Sequence, residues 1–179
     1  MTPTAVLYLF DDRKARRWAP MTLTRPAGEL LHGCLTTRER SERVLGIPCV
    51  GHLSRTDLHG FDEPGGTRVF LCSRAILDFG KVELPERRSR IMVDGQIMGW
   101  VVPDGDEPPD DGWLRAPGSA PADGDAVAWS GSVIDHLWDL VAANPQRITG
   151  DVHHLWPDES DPDGIVRIGE GIVSLGEGA

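Results

Sequence analysis

The feature that most constrains this chain is a run of six apolar residues, Ala5 to Phe10 (AVLYLF), that stops abruptly at Asp11-Asp12. An unbroken apolar run of this length suits a strand covered on both faces, as in a parallel sheet flanked by helices. It is too short for a membrane span or the apolar part of a secretion signal followed by charge, so the expected protein has no membrane association. The next segment, Arg13 to Ala27, holds Pro20 and Pro26 and cannot form one continuous helix. A long loop directly after the first strand follows from this.

The rest of the chain repeats the alternation of strand and helix. An amphipathic helix is expected from about Thr36 to Leu45, stopped by Gly46 and Pro48, and a strand near Cys49 to Leu53 follows. Strand, loop, helix, strand is the βαβ order of an α/β sheet. Arg68 to Ser73 and Arg90 to Val93 read as further strands. Asp94-Gly95 signals a hairpin into Gln96 to Val102. Pro103 to Asp125, rich in Pro, Gly and Asp, reads as a long excursion with little regular structure, and Ala126 to Trp129 as a short strand. Asp135 to Ala143 has helical spacing that Pro145 ends or bends, with a further turn or two between Gln146 and Leu155.

Residues 157–163 form a polar linker, so the expected domains are 1–156 and 164–179. The second segment reads IVRIGEGIVSLGEGA, in which IGEG and LGEG recur after seven residues. Gly-punctuated repeats with a preceding aliphatic residue suit the start of a parallel β-helix, whose coils need stacked neighbours; a Gly-rich hairpin tail is the alternative.

Charge narrows the function. The formal net charge of −10 opposes general nucleic-acid binding, which needs a basic surface. Yet Asp11 to Arg25 holds five basic residues (Arg13, Lys14, Arg16, Arg17, Arg25) against two acids, a local excess suited to an anionic small molecule. The alternative for Arg17 and Arg25 is surface pairing with Asp11, Asp12 or Glu29. Between residues 104 and 125 seven acids face Arg115 alone, as expected of a solvated surface. Cys34, Cys49 and Cys72 are odd in number and lack metal-ligand spacing, which suits reduced thiols in the cytoplasm. His153 and His154 beside Asp151 lack a third metal ligand, and Ser130 lacks the context of a nucleophile elbow. Trp113, in the acidic excursion, is a candidate for sugar stacking.

The segment from Trp18 to Leu30 (WAPMTLTRPAGEL), placed after a first strand, resembles the opening of sugar-1-phosphate nucleotidyltransferases. FDD…W.P.TLTRP.GEL..G.LT.RER and the later LWDLVAAN (Leu137 to Asn144) are similar to the sugar nucleotidyltransferases that join such a domain to a left-handed β-helix, relatives of the bifunctional acetylglucosamine-1-phosphate uridyltransferase. The resemblance implies a nucleotidyltransferase-like, Rossmann-like mixed sheet with helices on both faces, followed by the start of a left-handed parallel β-helix. It implies binding of a nucleoside triphosphate and a sugar phosphate, nucleotidyl transfer with release of pyrophosphate, and Mg²⁺. Arg17 falls at the family's phosphate-binding Arg and Arg25 sits nearby, so these are the candidate catalytic residues. Asp11, Asp12, Arg13, Thr22, Thr24 and Glu29 are candidate nucleotide or sugar-phosphate contacts.

Three departures accompany the likeness. Arg13 and Ala15 stand where the family has a Gly-x-Gly loop, and Ala27 where it has a Lys. Ser73 and Arg74 stand where a strand commonly ends in a metal-binding Asp, leaving Asp78 and Asp94 as candidate metal ligands. The alternative function is therefore a non-catalytic module serving a downstream β-helix acyltransferase or oligomer assembly, as a homotrimer if the β-helix is complete.

Overall fold

The computed structural model describes residues 5–54, 66–122 and 124–155. The tail at 164–179, the linker before it and the boundary at Trp156 lie outside the described residues.

The first strand is β1 (Ala5–Phe10), buried along its whole length. After two short 3-10 turns come a small hairpin, β2 (Leu31–His32) and β3 (Leu35–Thr36), and helix α1 (Thr37–Leu45). Helix α1 begins at Thr36 because that side chain accepts the Glu39 N–H while the Glu39 carboxylate accepts the Thr36 N–H, a reciprocal cap. It ends at Gly46, whose φ of 67° is a left-handed conformation that costs glycine little. Strand β4 (Cys49–Leu53) then lies parallel to β1, as the βαβ reading predicts.

Strands β5 (Thr67–Cys72), β6 (Ala75–Leu77), β7 (Ser89–Val93) and β8 (Gln96–Val102) follow. The expected hairpin joins β7 to β8: Asp94 and Gly95 have φ of 48° and 70°, as a two-residue turn of this kind requires. The acidic excursion departs from expectation, since it contains helix α2 (Asp111–Arg115) and a 3-10 turn over Pro117–Ser119. Asp110 caps α2 by accepting the Gly112 N–H, and buried Leu114 ties the helix to the core. Trp113 packs beside Trp100, ring centroids 6.4 Å apart, so it belongs to this anchored helix and not to a free loop.

Strands β9 (Asp125–Trp129) and β10 (Gly131–Val133) lead to α3 (Leu137–Ala142) and α4 (Asn144–Leu155). Helix α3 stops at Ala142, just before Pro145 as expected, and Pro145 sits in the first turn of α4, where a missing N–H breaks no helical bond. The second helix is thus twelve residues long, not a turn or two.

The main sheet has the order β4-β1-β5-β8-β7-β9. Strand β8 alone runs against the others: it is antiparallel to β5 and β7, while β1 is parallel to β4 and β5, and β7 to β9. This mixed sheet flanked by helices fits a nucleotidyltransferase-like fold. The chain leaves β1 for β4 on one side and returns to β5 on the other, so the strand order switches between β1 and β5. In open α/β sheets ligands bind at the carboxyl ends of strands beside such a switch. No helix among the described residues is long and apolar enough to cross a membrane.

Candidate functional site

Phe10 pairs with both Leu53 and Cys72, so β4, β1 and β5 end at one level. The next residues, Asp11-Asp12 after β1 and Ser73-Arg74 after β5, therefore meet at the switch point. All four are buried.

Asp11 turns into the protein. Its carboxylate accepts the hydroxyls of Ser73 at 2.5 Å and Ser54 at 2.6 Å and the Ala27 N–H at 3.2 Å, and its Oδ1 lies 3.1 Å from His52 Nε2. Burial alone raises a carboxyl pKa, but the contact with His52 and the two hydroxyls outweigh it and hold Asp11 below the ordinary value. Gly28 makes the arrangement possible, because a Cβ there would run into the His52 ring. Asp12 is engaged by Arg74, whose Nη2 donates at 2.7 Å and whose Nε lies within 3.0 Å of both carboxylate oxygens. It also accepts the backbone N–H groups of Lys14 and Ala15. Arg74 spends its remaining Nη1 on the Ile134 carbonyl and Asp135.

The acids expected to absorb the loop arginines are thus occupied elsewhere, Glu29 included, which pairs with Arg38. Arg13, Arg17 and Arg25 are exposed and make no side-chain hydrogen bond or ion pair with the described residues. They do not converge, however. Arg13 faces a cleft of about 650 Å³ between the loop after β1, the β7–β8 hairpin and α2. Arg25 and Thr24 line a separate apolar groove of about 740 Å³ with Met21, Leu31, Trp138 and Val141. Arg17 ends the first 3-10 turn and lines neither. Thr22 is buried, its hydroxyl unpartnered among the described residues.

The cleft at the strand ends is strongly basic. Arg13, Lys14, Arg74, Arg90 and Arg115 line it against one carboxylate, Asp12. The Arg13 N–H donates to the Arg115 carbonyl at 2.9 Å, which brings the loop and α2 together there. On a chain of net charge −10 such a concentration of cations is a local reversal of sign. Sequence reading placed Arg13 and Lys14 in the basic run suited to an anion, but not Arg90 or Arg115. Arg115 had a visible signal, since it is the one base in the acidic excursion; Arg90, on a strand that reads simply as core, had none.

The candidate metal ligands stay apart. Asp78 accepts from Ser130 and pairs with Arg147, whereas Asp94 occupies the hairpin turn. Asp151 is buried against Arg40 while His154 stacks on Phe79. Among the described residues no three His, Cys, Asp or Glu side chains are grouped to hold a metal ion.

Comparison with curated proteins finds no match. The model of the family described as sugar nucleotidyl transferase matches residues 7–159, which takes in most of β1, the basic loop, the cleft and helices α3 and α4. The chain belongs to the sugar nucleotidyl transferase family.

Proposed function

We propose that this chain binds a nucleoside triphosphate in the basic cleft and transfers its nucleotidyl group to a sugar phosphate, releasing pyrophosphate. The observation that carries this reading is the set of basic residues gathered in one cleft of an otherwise acidic protein: Arg13 and Arg74 after the carboxyl ends of β1 and β5, with Arg90 of β7 and Arg115 of α2. In the reaction a sugar-phosphate oxygen, already anionic at neutral pH, attacks the α-phosphorus. The bond from that phosphorus to the bridging oxygen breaks, and the electron pair leaves with pyrophosphate. Charge grows on the leaving group, and guanidinium donors facing the cleft stabilise it. Arg13 and Arg115 are the residues we assign to this role. Arg17 and Arg25 do not line this cleft, and we assign them no part in the transfer.

The Mg²⁺ expected of the family does not fit the described residues, because the cleft's single carboxylate is saturated by Arg74 and two backbone N–H groups. The same saturation favours a second reading, a binding module without turnover that serves a β-helix beginning near residue 164. In that reading later coils, not this domain, carry acyl transfer or trimer assembly.

The test is the purified chain incubated with each nucleoside triphosphate, Mg²⁺ and glucose 1-phosphate or acetylglucosamine 1-phosphate. Pyrophosphate release that falls at least tenfold in Arg13→Ala/Arg115→Ala supports transfer in the cleft. Thermal stabilisation by nucleotide with no pyrophosphate establishes the binding module. Neither response removes the cleft from consideration.

A further inference from the structure

We infer that the cleft takes its polyphosphate ligand as the bare polyanion, with arginine side chains doing the neutralisation that a divalent cation does in many phosphoryl-transfer sites. The inference rests on the cleft being the phosphate site proposed above. Mg²⁺ is held in such sites by one or two carboxylates together with substrate phosphates. The acids beside the switch point are engaged by other groups, Asp135 by Lys14 and Arg74 among them. Asp12, only 3% exposed, is enclosed by Arg74 and the N–H groups of Lys14 and Ala15. Asp11, only 1% exposed, is turned toward Ser54, Ser73 and His52. Asp94 belongs to the hairpin whose next residues, Gly95 and Gln96, line the cleft while Asp94 does not.

What the cleft offers is the opposite of a cation site. Arg74 is neutralised by Asp12 and Lys14 pairs with Asp135, but Arg13, Arg90 and Arg115 remain around the same space. Asp135 takes Lys14 at 2.6 Å and Arg74 Nη1 at 3.1 Å, while Arg115 has only the exposed Asp111 at a loose 3.6 Å. Arg90 gives one Nη to the Gly124 carbonyl, and its Nε has no partner in the described structure. A dication entering this space meets repulsion from several sides, whereas phosphate oxygens meet planar guanidinium forks that match them in pairs. At the carboxyl end of β5 the chain places Ser73 and the cation Arg74, not an acid.

The experiment is calorimetric titration of the full chain with inorganic tripolyphosphate, which carries the phosphates without any base. The titration is run first in EDTA and then with Mg²⁺ in excess. Saturable binding in EDTA, no weaker than in Mg²⁺, is the expected result, with Kd rising at least tenfold in Arg13→Ala/Arg115→Ala. Arg13→Gln alone, at an exposed position with no side-chain partner, should raise Kd several-fold with an unchanged melting temperature. Binding that appears only with Mg²⁺ overturns the inference while leaving the cleft as the phosphate site. Absence of binding under both conditions overturns the inference together with the reading on which it rests.

Discussion

Arg74 closes its guanidinium around the Asp12 carboxylate, with Nη2 at 2.7 Å and Nε at 2.9 and 3.0 Å from its oxygens, and so joins the carboxyl ends of β5 and β1. Both side chains are at most 5% exposed. Removing one partner of such a pair strands a charge in a poorly solvated place, which costs about 3–5 kcal/mol. Arg74→Ala should therefore lower unfolding free energy by about that amount in urea titration. A loss below about 1 kcal/mol would mean that water reaches Asp12 freely.

Acid should weaken the fold in two stages. His32 is buried with both ring nitrogens unpartnered among the described residues, and burial, aided by the charges of Arg147 and Arg40, lowers its pKa from 6.5 to about 4. The unfolded chain then binds the proton more readily, so stability is full above about pH 6.5 and declines as pH falls toward 4. Asp11 acts lower: its folded pKa is depressed, so its contribution is present above the unfolded value of 3.8 and is lost as pH falls through the folded value. Melting temperature followed from pH 7 to 3 should show the first decline in the parent and a much smaller one in His32→Leu. An equal decline in both would assign it to other groups.

The sequence made the sheet legible because buried strands and glycine turns leave local marks. AVLYLF, the Asp94-Gly95 hairpin and the Thr36 to Gly46 helix with its caps all follow from patterns a few residues long. The site is not local in that way. Asp12 and Arg74 are 62 residues apart, and their pairing depends on two strands ending at the same level. The same strand register buries Asp11 against Ser54, Ser73 and His52 and Asp12 against Arg74. Helix α2 was hidden by the Pro, Gly and Asp around it, since its order comes from Leu114 and Trp113 packing on the sheet and not from helix propensity.

The cap on α1 gives a smaller and sharper test. Thr36→Ala removes the acceptor for the Glu39 N–H and should cost about 1 kcal/mol. Thr36→Ser keeps the oxygen and should recover most of it, as measured by chemical denaturation. If Ser and Ala behave alike, the hydroxyl bond is not what fixes the start of the helix.

Helix α4 is held to the body of the domain by a buried charge, and this decides where the domain must at least extend. Asp151 receives Arg40 Nη2 at 2.5 Å and the Cys34 N–H at 2.9 Å, and both charged side chains are at most 2% exposed. At the start of the helix Asn144 accepts the Gly33 N–H at 2.7 Å, and Arg147 reaches Asp78 and Ser132. Gly33 is required for this approach, because its φ is 75° and a Cβ would strike Asp151 and Arg147. Asp151→Ala leaves Arg40 buried without its partner and should cost about 3–5 kcal/mol. A chain ending at residue 143 loses Asp151, Asn144 and Arg147 together and should not show a cooperative melt. A chain ending at residue 155 keeps all of these contacts, so its melting temperature should match that of the full chain within a few degrees. A large drop in the 1–155 chain would mean that residues beyond Leu155 complete the fold, and would move the domain boundary past Trp156.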